Sequence, residues 1–305
     1  GNRLRFSGTS AGTVANSGSI EAGANGFVAL LSNGGVRNEG TISVPTGKVA
    51  LGAGSAVTLD PTGTGFMQIL APSTVTEGGP LVDAGGRITA DGGRIEIAAR
   101  SADKAVRDLV KVSGTLSASS VRRDGGAIVL DAGPSGRVRV TGRVEAKSSA
   151  GKGGSVRVGG RSVQLAGATV DARGATGGGD VRIGGGVKGA IPAGMTEAQD
   201  VLVDGATVIR ADATETGNGG LVTLLSTGAT DFAGTISARG GATSGDGGFV
   251  ETSSRHLLTA AGNVDAGAPR GKGGEWLLDP TEIVAGPGTN TVSTVFVQNV
   301  NTALA

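Results

Sequence analysis

The chain has 305 residues, with 59 glycines, no cysteine, no tyrosine, one tryptophan and six phenylalanines, and its 27 basic and 26 acidic side chains leave a net charge of +1. So few aromatics require Val, Ile, Leu and Ala to fill the interior, which suits a narrow core built of like layers. The balanced charge, with no basic run interleaved with aromatic residues, speaks against nucleic acid as a partner; the missing cysteine excludes disulfides and thiolate metal sites, and no run nears the roughly 18 to 20 apolar residues of a membrane span.

The chain opens Gly1-Asn2-Arg3, which reads as a mature or excised piece. From residue 7 to 70 short alternating runs follow one another, among them Ser19-Ile20-Glu21-Ala22, Phe27-Val28-Ala29-Leu30, Thr41-Ile42-Ser43-Val44 and Lys48-Val49-Ala50-Leu51. From Arg87 to Leu278 one grammar recurs: a short apolar run, a small-residue loop, a Gly-Gly pair and a second alternating run. The pairs end at Gly93, Gly126, Gly154, Gly179, Gly220, Gly248 and Gly274. Two residues after each comes Ile95, Ile128, Val156, Val181, Val222, Val250 or Trp276; four residues after comes Ile97, Leu130, Val158, Ile183, Leu224, Thr252 or Leu278. Between them Glu96, Val129, Arg157, Arg182, Thr223, Glu251 and Leu277 drift freely. A period of two with one constant face means half-buried strands.

Each unit carries three such runs, for example Thr115-Leu116-Ser117, Ile128-Val129-Leu130 and Val138-Arg139-Val140, separated by unequal Gly-rich bends with no helical period between them. Fixed inner columns and unequal bends predict an all-β chain that winds as a parallel β-helix, three strands per turn, rather than a sandwich joined by hairpins. The 46 residues from Gly47 to Gly93 read as about two further turns. About eleven turns at about 4.8 Å each give a shaft roughly 50 Å long. Loops are expected to leave it at 72–80, 100–111, 187–200 and after residue 280, with a short helical turn at 195–199. The chain divides as 1–70, the end of a secretion-domain-like β-helix, 71–280, further repeats, and 281–305, a tail, cap or start of another unit.

The segment NSGSIEAGANGFVALLSNGGVRNEGTISVPTGKVALGAGSAVTLDPTGTGFMQI resembles the later part of the secretion domain of filamentous-haemagglutinin-like two-partner-secretion exoproteins. GGFVETS, from Gly247, and EWLLDP, from Glu275, are similar to motifs that follow in the same family, which includes high-molecular-weight adhesins. The resemblance implies a right-handed β-helix, export through an outer-membrane transporter and a secreted or cell-surface location. It also implies the family's range of roles: adhesin, biofilm-matrix protein, haem-acquisition protein or toxin-delivery stalk. The early asparagine-proline motifs of that domain are expected upstream.

Chemistry-bearing residues are sparse. Gly184, Gly186 and Gly189 match a GxGxxG spacing, but no helix pattern follows, so they read as bends. GGGD at 177–180 lacks the register of a calcium-binding repeat, and the single His256 has no partner set for zinc or for a triad. No cofactor is expected. Aligning the run before each Gly-Gly pair stacks Ser117, Glu145, Asp171, Arg210, Ser237 and Asp265 in one column. Two readings attach to it: a solvated acidic ladder relieved by Arg210, or a retaining-glycosidase pair of Glu145 and Asp171 in a β-helical polysaccharide hydrolase or lyase. Arg157 above Arg182 makes a second column, either a wet like-charged edge or a shallow site for an anion or sulfated glycan. Trp276, where other units have Ile or Val, reads as core filler near a change in cross-section. The favoured function is a non-enzymatic, monomeric shaft or adhesion fragment, with a surface glycan or protein receptor met by loops at 187–200 and 100–111, and no insertion into a membrane.

Overall fold

The computed structural model describes residues 3–63, 65–75, 78–103, 107–285 and 294–297. The chain is a parallel β-helix with three faces. The long face holds strands such as Arg94–Ala99, Ala127–Asp131, Ser155–Gly159, Asp180–Ile183 and Leu221–Ser226. A middle face holds Val82–Ala84, Asp108–Val112, Arg137–Val140, Ser162–Leu165, Asp200–Val203 and Ala229–Phe232. A short face of three-residue strands completes each turn, with Arg87–Thr89, Thr115–Ser117, Arg143–Glu145, Thr169–Asp171, Val208–Arg210, Thr235–Ser237 and Asn263–Asp265. Among the described residues nine strands stack on the short face and ten on the long face, a shaft of about 45 Å.

Inner columns stack in register. On the long face Val49, Ile95, Ile128, Val156, Val181, Val222, Val250 and Trp276 lie on consecutive rungs. On the short face Ile88, Leu116, Val144, Val170, Ile209, Ile236 and Val264 do the same. All but Trp276, 4% exposed, are fully buried. Each buried Val or Ile contributes about 1.5 to 3 kcal/mol from removal of apolar surface, and every rung repeats the gain for its neighbours.

The corner between the short and long faces explains the Gly-Gly pairs. The second glycine donates its N–H to an alanine carbonyl at the end of the short strand: Gly126 to Ala118, Gly154 to Ala146, Gly179 to Ala172, Gly220 to Ala211, Gly248 to Ala238 and Gly274 to Ala266. Its own carbonyl accepts from the next rung, as Gly126 does from Ser155 and Gly154 from Asp180. A Cβ on Gly154 would overlap the Gly126 carbonyl oxygen, and one on Gly179 the Gly154 oxygen. Close approach of backbones, not an unusual φ, demands glycine here. The corner leaves an axial groove of about 1030 Å³, running from Gly93 to Glu275 and lined largely by glycine backbone.

Three expectations need correcting. Lys48–Ala53 pairs directly with Arg94–Ala99, so the interval read as two turns is one turn with an excursion. That excursion is an antiparallel hairpin of Ala56–Leu59 and Met67–Ala71, extended by Leu4–Ser7. Phe66, Leu59 and Ala50 form a second small core beneath it, so the hairpin folds onto the shaft instead of adding a rung. The 100–111 segment is not all loop, because Asp108–Val112 is a middle-face strand. No helical turn forms at 195–199; a single 3₁₀ turn lies at Val187–Gly189, where Lys188 takes a φ of 52°.

Near the C-terminal end the cross-section changes. Phe249–Ala260 and Glu275–Ala285 run through the corner that earlier turns break, joining the long and middle faces. A buried hydroxyl cluster of Ser226, Thr230, Ser253 and Ser254 lies at that corner, with the Ser226 and Thr230 hydroxyls 2.8 Å apart. Trp276 fills the widened core, and its indole N–H donates to Thr252 Oγ1 at 3.0 Å. The two exceptions to the apolar pattern thus satisfy each other. Thr294–Val297 pairs with Glu275 to Leu278 as the next rung, so the winding continues past residue 280. The rest of the expected tail lies outside the described residues.

Candidate functional site

The acidic column is present in register: Ser117, Glu145, Asp171, Arg210, Ser237 and Asp265 occupy successive rungs of the short face. The relief expected from Arg210 comes instead from a basic residue two positions on. Arg173 Nη2 donates to Asp171 Oδ2 at 2.7 Å and Arg173 Nε to Oδ1 at 3.0 Å, while the Arg173 N–H caps Oδ1 at 3.1 Å. Lys147 meets Glu145 at 3.2 Å by the same offset. Asp171 is 3% exposed, with both oxygens taken. The bidentate bond to Asp171 raises the Arg173 pKa above its ordinary value against the opposing effect of burial, helped by the charges of Asp171, Asp212 and Glu145. One rung on, burial raises the Asp212 carboxyl although the Arg239 N–H and Ser237 hydroxyl both donate to it.

Arg157 and Arg182 are neighbours on the outer side of the long face, as aligned. They are not a wet edge of equals. Arg182 is held by Asp180 through two bonds of 2.7 Å, whereas Arg157 Nε is buried without a hydrogen-bond partner.

The outer side of the long face is roofed by two remote segments, the hairpin and the insert between Ile183 and Asp200. Three carboxylates hold this roof, two of them, Glu96 and Glu251, at positions that the alternation assigned to a drifting face. Glu96 accepts the Phe66 N–H at 3.0 Å and the Met67 N–H at 2.6 Å from the hairpin, and is paired with Arg94. Asp131 accepts the Thr196 N–H at 2.5 Å and hydroxyl at 2.9 Å, and the Arg100 guanidinium lies 2.7 Å away. Glu251 accepts the Lys188 N–H at 3.0 Å and the Ser253 hydroxyl at 3.0 Å, fixing the other end of the insert. Burial raises the Glu251 pKa despite these two donors, with Asp279 adding to the rise. Glu96, Asp131 and Glu251 are all nearly or fully buried. For Glu96 the signal in the sequence is a carboxylate flanked by apolar neighbours in a strand, RIEIAA; Glu251, between Val250 and Thr252, carries only half of it. The partners lie 30, 65 and 63 residues away, which no local pattern reveals.

The described start of the 72–80 loop is tied down as well: Arg107 Nη2 donates to the Val75 carbonyl at 2.9 Å, and Ser73 bridges to Ser101. His256 is exposed beside Leu257. No group of three or more metal-ligating side chains occurs among the described residues, and none of their helices is long and apolar enough to cross a membrane.

A shaft of stacked rungs whose outward excursions are pinned at fixed places defines a parallel β-helix domain. The secretion domain of HMW1 from Haemophilus influenzae, solved by crystallography, is 31% identical and superposes with a TM-score of 0.70, covering 91% of this chain and 70% of its own. The chain belongs to the family of that secretion domain. No family sequence model matches it, nor does any curated protein sequence.

Proposed function

We propose that this chain is a non-enzymatic shaft segment of a large bacterial exoprotein, exported across the outer membrane by two-partner secretion and displayed at or beyond the cell surface. The observation that carries the reading is the 31% identity to a secretion domain along 91% of the chain. The mechanism is mechanical: rungs add length at low sequence complexity, and the roofed excursions offer the irregular surface through which adhesive contacts are made. The partners are an outer-membrane transporter, met through the parent chain, and a surface glycan or protein receptor. Against the hydrolase reading stands the state of its proposed pair: Asp171 has both oxygens held by Arg173, and Glu145 is drawn to Lys147, so neither is poised as an acid or nucleophile.

Two experiments test this. Joined to a transporter-recognition segment and co-produced with the matching outer-membrane transporter, the chain is expected in the medium only when the transporter is present. Retention in the periplasm, while the HMW1 secretion domain is released in parallel, sinks the export reading. A polysaccharide panel is expected to survive incubation with the parent and with Asp171→Asn alike; cleavage by the parent that is lost in the variant overturns the non-enzymatic reading.

A further inference from the structure

The hairpin and the insert do not close completely over the long face. Between them lies a cavity of about 590 Å³, a volume in the range of small-molecule sites. Its floor includes Val129 and Arg157, one wall is Met67 to Ile69 of the hairpin, and the opposite wall is Ala193 to Thr196 of the insert.

Three guanidinium groups, of Arg94, Arg100 and Arg157, line this cavity against two carboxylates, of Glu96 and Asp131. Arg94 is paired with Glu96 and Arg100 with Asp131. Both carboxylates also bind the walls, Glu96 at Phe66 and Met67 and Asp131 at Thr196, so neither is free to turn towards the third arginine. Arg157 is flanked along its column by Val129 and Arg182, the latter already held by Asp180. The cavity therefore carries one surplus positive charge, on a guanidinium whose Nε is buried with no acceptor. A half-buried cation without a counter-charge costs free energy that a matching anion recovers.

We propose that this cavity is a binding site for a compact organic carboxylate, with Arg157 as its anchor. A guanidinium fork matches a carboxylate through two parallel hydrogen bonds. One surplus charge suits a monoanion, and Met67, Ile69, Val129 and Met195 offer an apolar surface to a hydrocarbon body. The site does not depend on how the chain is exported, and failure of either reading leaves the other standing.

Calorimetric titration of the 305-residue chain at low ionic strength tests the proposal, with benzoate, benzyl alcohol and sulfate as probes. Benzoate is expected to saturate a single site, with sulfate and the neutral alcohol each about tenfold or more weaker. In Arg157→Gln benzoate affinity is expected to fall about tenfold or more, in Arg157→Lys by less, and in Arg182→Gln not at all. Circular dichroism and melting of all three variants should match the parent, because these side chains point away from the core. In a nuclear magnetic resonance titration the Met67 and Thr196 amides should shift as benzoate binds. The proposal is overturned by absence of saturable benzoate binding, by unchanged affinity in Arg157→Gln, by equal losses in Arg157→Gln and Arg182→Gln, or by tighter binding of sulfate than of benzoate.

Discussion

The short and long faces are built from the same alternating strands over the same kind of buried column, yet their outward carboxylates live differently. On the short face Asp171, itself buried, and Glu145 are tied to partly exposed basic side chains two positions along the same chain. On the long face Glu96, Asp131 and Glu251 bind backbone amides of segments 30 to 65 residues away and are buried by them. The difference teaches that a rung fixes only its inner face. What the outer face does depends on whether the chain leaves the shaft and folds back over it. The described short-face pairs settle their charges locally, while under the roof the same residue type becomes a clamp, even where a local pair such as Arg94 with Glu96 also forms.

The comparison is broken most severely by attacking what the faces share. Val156→Asp places a carboxylate with no partner inside the stacked column, and a loss above about 4 kcal/mol is expected. Unchanged circular dichroism and melting in that variant would show the column assignment to be wrong. Gly154→Ala is next: its Cβ would overlap the Gly126 carbonyl oxygen, and about 2 kcal/mol or more should be lost. Gly23→Ala, which meets nothing within 4 Å, should stay within about 0.5 kcal/mol of the parent. Equal melting temperatures for the two glycine variants would remove close approach as the reason for the pairs.

Smaller effects separate the two faces. Asp131→Ala should cost about 1 to 3 kcal/mol and speed amide hydrogen exchange at Thr196 while leaving the short face unchanged. Asp171→Asn weakens a pair whose carboxylate is buried and whose guanidinium is partly exposed, so about 1 to 3 kcal/mol is expected, with no change in exchange of the insert. Similar exchange maps for the two variants would erase the distinction between clamp and local pair.

The subtlest test is pH. The Glu251 carboxyl is raised in the folded chain by burial. A raised acid binds its proton more tightly when folded, so its contribution to stability falls as pH rises from the ordinary value near 4.5 through the higher folded value. Glu251→Gln should flatten the parent's stability profile across that window. An identical slope in denaturant melts of parent and variant would mean that Glu251 is not held as described.

The sequence by itself determined the rungs. Apolar residues two and four positions after each Gly-Gly pair, from Ile95 and Ile97 to Trp276 and Leu278, specify a period of two, and identical steps need only be stacked for Val156 to meet Ile128 and Val181. It determined the Glu145, Asp171 and Arg210 column for the same reason. It did not reveal the hairpin, because Val57 and Ile69 alternate like any rung, and only the small core around Phe66 turns them back on the shaft. Nor did it reveal the clamps or the cavity around Arg157. A local pattern records which side of a strand a residue faces, whereas the free energy of a buried charge is set by donors that tertiary folding brings from elsewhere in the chain.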